Sequence, residues 1–138
     1  IPTLFFSHYG HPLTSPMVTV LIVDDLPEMT ETLQRVLEVH GHQVILAHNG
    51  VNALERLQES TIDLMLLDIH LPEKDGIEVL TEMRSLAQRP KIIAMSGGGR
   101  TADFAVLEVA KQLGASATLQ KSFTMKELMV VVDSLITT

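Results

Sequence analysis

Three aspartates, a serine and a lysine follow short apolar runs of this sequence. Asp24 and Asp25 come directly after the run VTVLIV, and Asp68 follows DLMLL. Ser96 follows KIIAM, and Lys121 follows ATLQ. Carboxylates that lie close together repel each other, so at least one of them has a raised pKa unless a cation compensates. If the apolar runs are neighbouring strands, these residues form one polar site for a cation and an anionic group.

The three carboxylates predict a magnesium site. Hard oxygen ligands favour Mg²⁺, which keeps several waters and takes only one or two carboxylates directly. We expect Asp25 and Asp68 to be direct ligands, and Asp24 to act through water. The charge of the ion would dominate the site and allow the acids to ionise together.

The serine and the lysine favour phosphoryl transfer at the same place. A carboxylate can accept a phosphoryl group and form an aspartyl phosphate. The transferred group carries negative charge on its equatorial oxygens, so the protein mainly has to position and neutralise it. Mg²⁺, the Lys121 ammonium and the Ser96 hydroxyl would each bind one of these oxygens. Asp68 is the expected acceptor, because it ends the central strand of the predicted sheet.

Strand and helix patterns alternate along the chain after residue 17. Short apolar runs rich in β-branched residues are typical of strands that are buried on both faces. They predict strands at residues 18–23, 44–47, 63–68, 91–95 and 117–120. Apolar residues at helical spacing predict a helix from Pro27 to a cap at Gly41, and further helices at 51–58, 76–86, 101–113 and 125–135.

This alternation predicts an α/β fold in which helices cover both faces of a parallel sheet. Right-handed crossovers leave few topologies. With five strands, the leading one is a doubly wound, flavodoxin-like (βα)5 sheet with strand order 2-1-3-4-5, which binds ligands at the carboxyl ends of its strands. Residues 17–138 form this single domain, whereas residues 1–16 are rich in proline and aromatic side chains. We interpret 1–16 as an N-terminal arm derived from an upstream linker or a cloning vector.

Composition narrows the class of partner. The formal net charge of -7 disfavours direct nucleic-acid binding, because phosphates repel an acidic domain. The chain has no cysteine, which fits a reducing cytosol, and no apolar run approaches the ~20 residues of a membrane-spanning helix. We therefore expect a cytoplasmic domain with no membrane contact.

His40, His42 and His48 are expected to cap a helix or lie on the surface rather than bind a metal.

Four segments together resemble the receiver domain of two-component response regulators, of the chemotaxis-regulator-like kind. They are VTVLIVDD, LMLLDIHLPEKDG, IIAMSGG and the lysine after the fifth strand, and the resemblance covers about residues 18–135. It implies that Asp68 accepts phosphate from the phosphohistidine of a sensor histidine kinase or histidine phosphotransfer protein. It also implies that Asp24, Asp25 and the backbone carbonyl of His70 organise Mg²⁺.

The resemblance also implies an output. Ser96 and Lys121 would bind the phosphoryl group and shift when it arrives. A downstream protein or a fused output domain would then recognise the fourth helix, the fifth strand and the fifth helix. Such a domain is not an enzyme, although it assists its own phosphorylation and dephosphorylation. Homodimer formation is compatible with this function, and the chain is either a standalone regulator or part of a longer one.

The parts that transmit the signal in this family differ here. Many receivers have Tyr or Phe three residues before the lysine, where this chain has Thr118, so an aromatic switch is excluded. The lysine is usually followed by proline, often through a cis bond, but here Ser122 follows. We expect either a trans bond with a shifted loop or a strained cis bond, which costs about 2.5–4 kcal/mol before a non-proline residue.

Two loops have two interpretations each. Gly97, Gly98 and Gly99 form either a mobile switch loop or an ordinary flexible loop. His70 occupies a position that affects phosphate lifetime in the family, and it is equally interpreted as an exposed loop histidine.

Other functions stay open. A flavodoxin-like electron carrier would need a hydroxyl- and glycine-rich FMN phosphate loop after the first strand, where Asp24 and Asp25 would repel phosphate. Phosphohydrolases with an aspartyl nucleophile have a DxD motif there, whereas these two acids are adjacent. A degenerate receiver would be a phosphorylation-independent interaction module, and the presence of all the acids, Ser96 and Lys121 disfavours it.

Overall fold

A computed structural model describes residues 16–97 and 101–137. The predicted arm at residues 1–16 therefore lies outside the described residues, apart from Pro16. Two of the three loop glycines, at 98 and 99, also lie outside them.

Five strands and five helices alternate, as the sequence predicts. They are β1 (Thr19–Val23), α1 (Pro27–Val39), β2 (Gln43–Ala47), α2 (Gly50–Glu59), β3 (Leu64–Asp68), α3 (Gly76–Met83), β4 (Lys91–Ser96), α4 (Thr101–Gln112), β5 (Ala117–Gln120) and α5 (Met125–Ile136). The predicted ends of several elements differ slightly from these bounds. Within the described ranges, no helix is both long and apolar enough to cross a membrane.

The strands form one parallel sheet in the order β2-β1-β3-β4-β5, which confirms the predicted flavodoxin-like topology. Alternate side chains of each strand face opposite sides of the sheet. Residues such as Leu21 and Met65 pack with α2, α3 and α4 on one face. Residues such as Ile22 and Leu66 pack with α1 and α5 on the other. All five residues of β3 are buried, as expected for the central strand.

Strand register brings the polar residues to one edge of the sheet. Val23 of β1 pairs with Leu67 of β3, so Asp24 and Asp68 follow them at the same level. Asp68 pairs in turn with Met95 of β4, which directly precedes Ser96. Because all strands are parallel, these residues reach the same carboxyl edge.

Gly76 begins α3 against the backbone that carries Asp68. Its N–H donates to the carbonyl of Ile69 over 2.8 Å. A Cβ added to Gly76 would lie 2.7 Å from Ile69 Cα and 2.8 Å from the carbonyl oxygen of Asp68. Only a residue without a side chain fits this approach, so α3 fixes the position of the backbone at Asp68 and Ile69.

His42 is buried, which shows that its predicted surface position is wrong. It is 6% exposed, and its Nδ1 accepts a hydrogen bond from the N–H of Val18 over 3.3 Å. Burial lowers the pKa of His42; the negative charge of Asp133 opposes this and the proximity of His40 adds to it. His40 does cap α1, because its Nδ1 lies 2.8 Å from the carbonyl oxygen of Val36. His48 is exposed, as predicted.

The Gly76 contact leads to a prediction about stability. Gly76→Ala should lower the free energy of unfolding by ~1–3 kcal/mol, because the new methyl group overpacks against backbone atoms. The matched control is Gly97→Ala, since a Cβ there meets nothing within 4 Å. That control should change the free energy of unfolding by less than about 1 kcal/mol. Urea unfolding of the two variants and the wild type measures both effects, and equal stability of the two variants would contradict the packing argument.

The buried imidazole leads to a prediction about pH. A lowered pKa in the folded state means that, below about pH 6.5, the unfolded chain binds a proton that folded His42 does not. The free energy of unfolding should therefore decrease as the pH falls through and below this value. His42→Asn keeps an acceptor in place but cannot titrate, so its unfolding should depend less on pH. Urea unfolding at about pH 5.5 and about pH 7.5 tests this; an unchanged pH dependence in the variant would show that another group is responsible.

Candidate functional site

Three acids meet at the carboxyl edge of the sheet, as the sequence predicts. Asp24 follows β1 and is fully buried, Asp68 ends β3 and is 2% exposed, and Asp25 is exposed. One carboxylate oxygen of each lies within 4.8 Å of the others. The arrangement is therefore compact enough for one cation to contact all three acids.

Lys121 joins the two buried acids. Its ammonium donates to Asp68 Oδ2 over 2.8 Å, and Nζ lies 2.9 Å from Asp24 Oδ2. Its position is fixed from the neighbouring strand, because the Lys121 N–H donates to the carbonyl oxygen of Ser96 over 2.7 Å. Lys121 thus bridges the ends of β1 and β3 from the turn after β5.

The site has too little positive charge for its acids. Burial raises the pKa of Asp68, and the charge of Asp24 adds to this, although hydrogen bonds from Lys121 and the His70 N–H oppose it. Burial alone would lower the pKa of Lys121, but the hydrogen bonds and charges of Asp68 and Asp24 raise it overall. Burial is thus the main cause of the shift at Asp68, whereas the shift at Lys121 comes from the two acids that it faces.

Asp24 offers a direct test of whether a metal fits. Its Oδ1 accepts from the Leu26 N–H over 2.9 Å. Its buried Oδ2 faces the Lys121 ammonium at 2.9 Å, and Asp24 shares that single ammonium with Asp68. One ammonium leaves two buried carboxylates incompletely neutralised, and a second cation would stabilise both acids. Together with the exposed Asp25, Asp24 Oδ2 makes the donor set suitable for Mg²⁺.

The loop after β3 is anchored to Asp68. The His70 N–H donates to Asp68 Oδ1 over 3.0 Å, so each oxygen of this carboxylate accepts a hydrogen bond. The His70 side chain is 58% exposed, as an exposed loop histidine would be. Its ring is nevertheless placed at the site, because Nε2 lies 3.3 Å from Ser96 Oγ.

The buried Ser96 hydroxyl has a partner that the sequence analysis missed. Ser96 Oγ donates to Asp103 Oδ1 over 3.1 Å, and His70 Nε2 lies 3.4 Å from the same oxygen. Asp103 lies in the first turn of α4. An acid in a first turn has an ordinary explanation, because it interacts favourably with the helix dipole. Only the folded structure shows that this one contacts Ser96.

The structure describes two of the three places where this chain departs from the family pattern and part of the third. No peptide bond among the described residues is cis, so the Lys121–Ser122 bond takes the trans form. Thr118 is half-buried on β5, paired with Ala94 of β4. Gly97 is exposed, but a switch role for the complete glycine loop stays a prediction, because residues 98–100 lie outside the described ranges.

Comparison with curated proteins finds relatives that are described as regulatory proteins. The transcriptional regulatory protein CpxR of Escherichia coli (strain K12) is 38% identical over 120 residues, which are 87% of this chain and 50% of that protein. The response regulator MprA of Mycobacterium ulcerans (strain Agy99) is 36% identical over 121 residues, which are 86% of this chain and 50% of that protein. This chain spans about half the length of the curated relatives it matches.

Solved structures and a family model agree with these relatives. The crystal structure of a response regulator signal receiver domain from Bermanella marisrubri has a TM-score of 0.80 and 33% sequence identity. The alignment of the two structures covers 88% of this chain and 99% of the Bermanella marisrubri chain. The model of the response regulator receiver domain matches residues 20–133, nearly the whole described fold. The chain therefore belongs to the response regulator receiver domain family.

Proposed function

We propose that this receiver domain accepts a phosphoryl group on Asp68 from the phosphohistidine of a sensor histidine kinase or a histidine phosphotransfer protein. The observation that carries the proposal is the buried Asp68 carboxylate, hydrogen-bonded to Lys121 over 2.8 Å beside two further acids. A carboxylate in this setting has both a cation to stabilise the transferred charge and a place for a second one.

The transfer needs an ionised acceptor and a neutralised phosphoryl group. An oxygen of Asp68 attacks phosphorus, and a P–O bond forms as the P–N bond to the donor histidine breaks. The electron pair of that bond stays on the imidazole nitrogen, so a ring protonated at its other nitrogen leaves as neutral imidazole. Lys121 favours the ionised acceptor beforehand and faces the negative oxygens during transfer.

Asp24, Asp25, Asp68 and the backbone carbonyl of His70 would hold Mg²⁺ in this proposal. The support is the cluster of three acids within 4.8 Å and the single Lys121 ammonium that the buried Asp24 and Asp68 share. Bound Mg²⁺ would supply positive charge that neutralises the phosphoryl oxygens. It would also offset the mutual repulsion of the acids, which burial increases.

The domain would be a phosphoacceptor that assists its own phosphorylation and dephosphorylation, not an enzyme that turns over an external substrate. Its state would be recognised by a downstream protein or a fused output domain, with a homodimer as one form of that output. CpxR is a transcriptional regulatory protein of about twice the matched length, which supports a fused output in a longer protein. The net charge of -7 supports action through protein partners rather than direct nucleic-acid contact by this domain, and the lack of cysteine fits action in a reducing cytoplasm.

Phosphorylation can be tested with Mg²⁺ and phosphoramidate, a small donor whose P–N bond resembles that of phosphohistidine. We expect one hydroxylamine-labile adduct, because hydroxylamine cleaves acyl phosphates, and no adduct in Asp68→Asn. The matched control is Asp63→Asn, which changes an exposed aspartate just before the same strand. Intact-protein mass spectrometry measures the adduct. Equal labelling of Asp68→Asn and the wild type would mean that another residue is the acceptor, and no labelling of the wild type would favour a degenerate receiver.

Metal binding can be tested without phosphorylation. Asp25→Asn should weaken Mg²⁺ binding by about tenfold or more, because it removes a charged oxygen ligand. Glu28→Gln removes the same charge from the exposed first turn of α1 and should change the affinity little. Isothermal titration calorimetry with MgCl₂ measures both affinities. If the two variants bind Mg²⁺ equally well, Asp25 is not a ligand.

A further inference from the structure

The Ser96 hydroxyl has one O–H to donate, and Asp103 Oδ1 is nearer to it than His70 Nε2 or the Gly97 carbonyl oxygen. Ser96 is fully buried, and its Oγ donates to Asp103 Oδ1 over 3.1 Å. An ionised carboxylate can only accept hydrogen bonds, so the direction of this bond is fixed when Asp103 is ionised. Such a charge-assisted bond is stronger than one between neutral groups.

A phosphoryl group would compete for the same proton. Phosphoryl oxygens are also acceptors, and a hydroxyl has only one O–H to donate. Ser96 can therefore donate to a phosphoryl oxygen or to Asp103, but not fully to both. The two acceptors are also both negative, so the charge that arrives at Asp68 repels the Asp103 carboxylate.

The contacts do not form a nucleophilic triad. In a Ser-His-Asp triad, one ring nitrogen faces the hydroxyl and the other faces the carboxylate. Here His70 Nε2 lies 3.3 Å from Ser96 Oγ and 3.4 Å from Asp103 Oδ1, so the same nitrogen faces both groups. Asp103 Oδ1 also accepts a hydrogen bond from the Ser96 hydroxyl directly. The cluster is therefore suited to holding the hydroxyl rather than activating it.

We propose that Asp103 is a positioning residue that holds the Ser96 hydroxyl on the α4 side and releases it when a phosphoryl group binds at Asp68. This inference rests on the proposed function of Asp68. Asp103 lies in the first turn of α4, so the exchange removes one of the contacts between this turn and the end of β4. Phosphorylation thereby changes how α4 is held, in a chain where Thr118 replaces the usual aromatic residue.

The competition predicts that removing Asp103 strengthens binding of a phosphoryl analogue. Asp103→Ala should bind beryllofluoride in the presence of Mg²⁺ about three- to tenfold more tightly than the wild type, because the hydroxyl no longer has to leave a charged acceptor. Asp103→Asn keeps the side-chain shape and should give a smaller change in the same direction. Isothermal titration calorimetry measures the affinities, and thermal unfolding shows that each variant is folded.

Two comparisons separate the hydroxyl contact from general effects of charge. Glu108→Ala removes an acid from the same helix, where Glu108 is exposed and pairs with Lys111, and should change the affinity by less than about twofold. In a Ser96→Ala background, Asp103→Ala should have a clearly smaller effect, because the hydrogen bond is absent and only the repulsion between Asp103 and the arriving charge is left to remove.

The outcomes distinguish this inference from the function on which it rests. Tighter binding by Asp103→Ala that is clearly reduced in the Ser96→Ala background supports the inference, and an equal gain in that background overturns it. Unchanged or weaker binding by folded Asp103→Ala, or an equal gain with Glu108→Ala, overturns it while leaving the proposed function intact. A wild-type protein that binds no beryllofluoride overturns the proposed function, and the inference with it.

Discussion

Two buried carboxylates share one ammonium group at the carboxyl edge of this sheet, and the rest of the site depends on that imbalance. Asp24 and Asp68 both face Lys121 Nζ, at 2.9 and 2.8 Å. One lysine cannot neutralise two acids, and the exposed Asp25 adds a third negative group nearby. The folded chain therefore has a local deficit of positive charge. The repulsion between the acids lowers the stability of the fold, and burial of the hydrophobic core offsets that loss.

The fold keeps the acids close together despite the deficit of positive charge, because β3, α3 and the end of β4 fix the backbone of the site. β3 is buried along its whole length, so Asp68 cannot move towards solvent without disturbing the core. Gly76 packs α3 against the Asp68 carbonyl, and Lys121 is tied to the end of β4 through the Ser96 carbonyl. Charge repulsion between groups fixed in this way is relieved more readily by binding a cation than by moving apart.

The fold and the positions of the acids could be predicted from the sequence because they follow from local patterns. Apolar runs that end in Asp24, Asp68 or Ser96 mark buried strands and their polar ends, and the parallel topology then brings those ends together. Asp103 could not be found this way, because its contact with Ser96 depends on how the first turn of α4 packs beside the end of β4. The burial of His42 was missed for a similar reason, since it follows from tertiary packing rather than from periodicity.

Lysine and serine differ in how many partners each can hold at once. The Lys121 ammonium has three N–H donors, and its described carboxylate contacts, to Asp68 and Asp24, use at most two of them. A new anion can therefore be added to the lysine without the loss of an existing neighbour, whereas the single hydroxyl proton of Ser96 must be exchanged. Lysine can therefore bind an old and a new partner together, whereas the serine hydroxyl can bind only one of them at a time. The arrangement with Ser96 bonded to Asp103 and the arrangement with Ser96 bonded to a new anion thus exclude each other. The difference between these two states depends on the uncharged serine and not on the lysine.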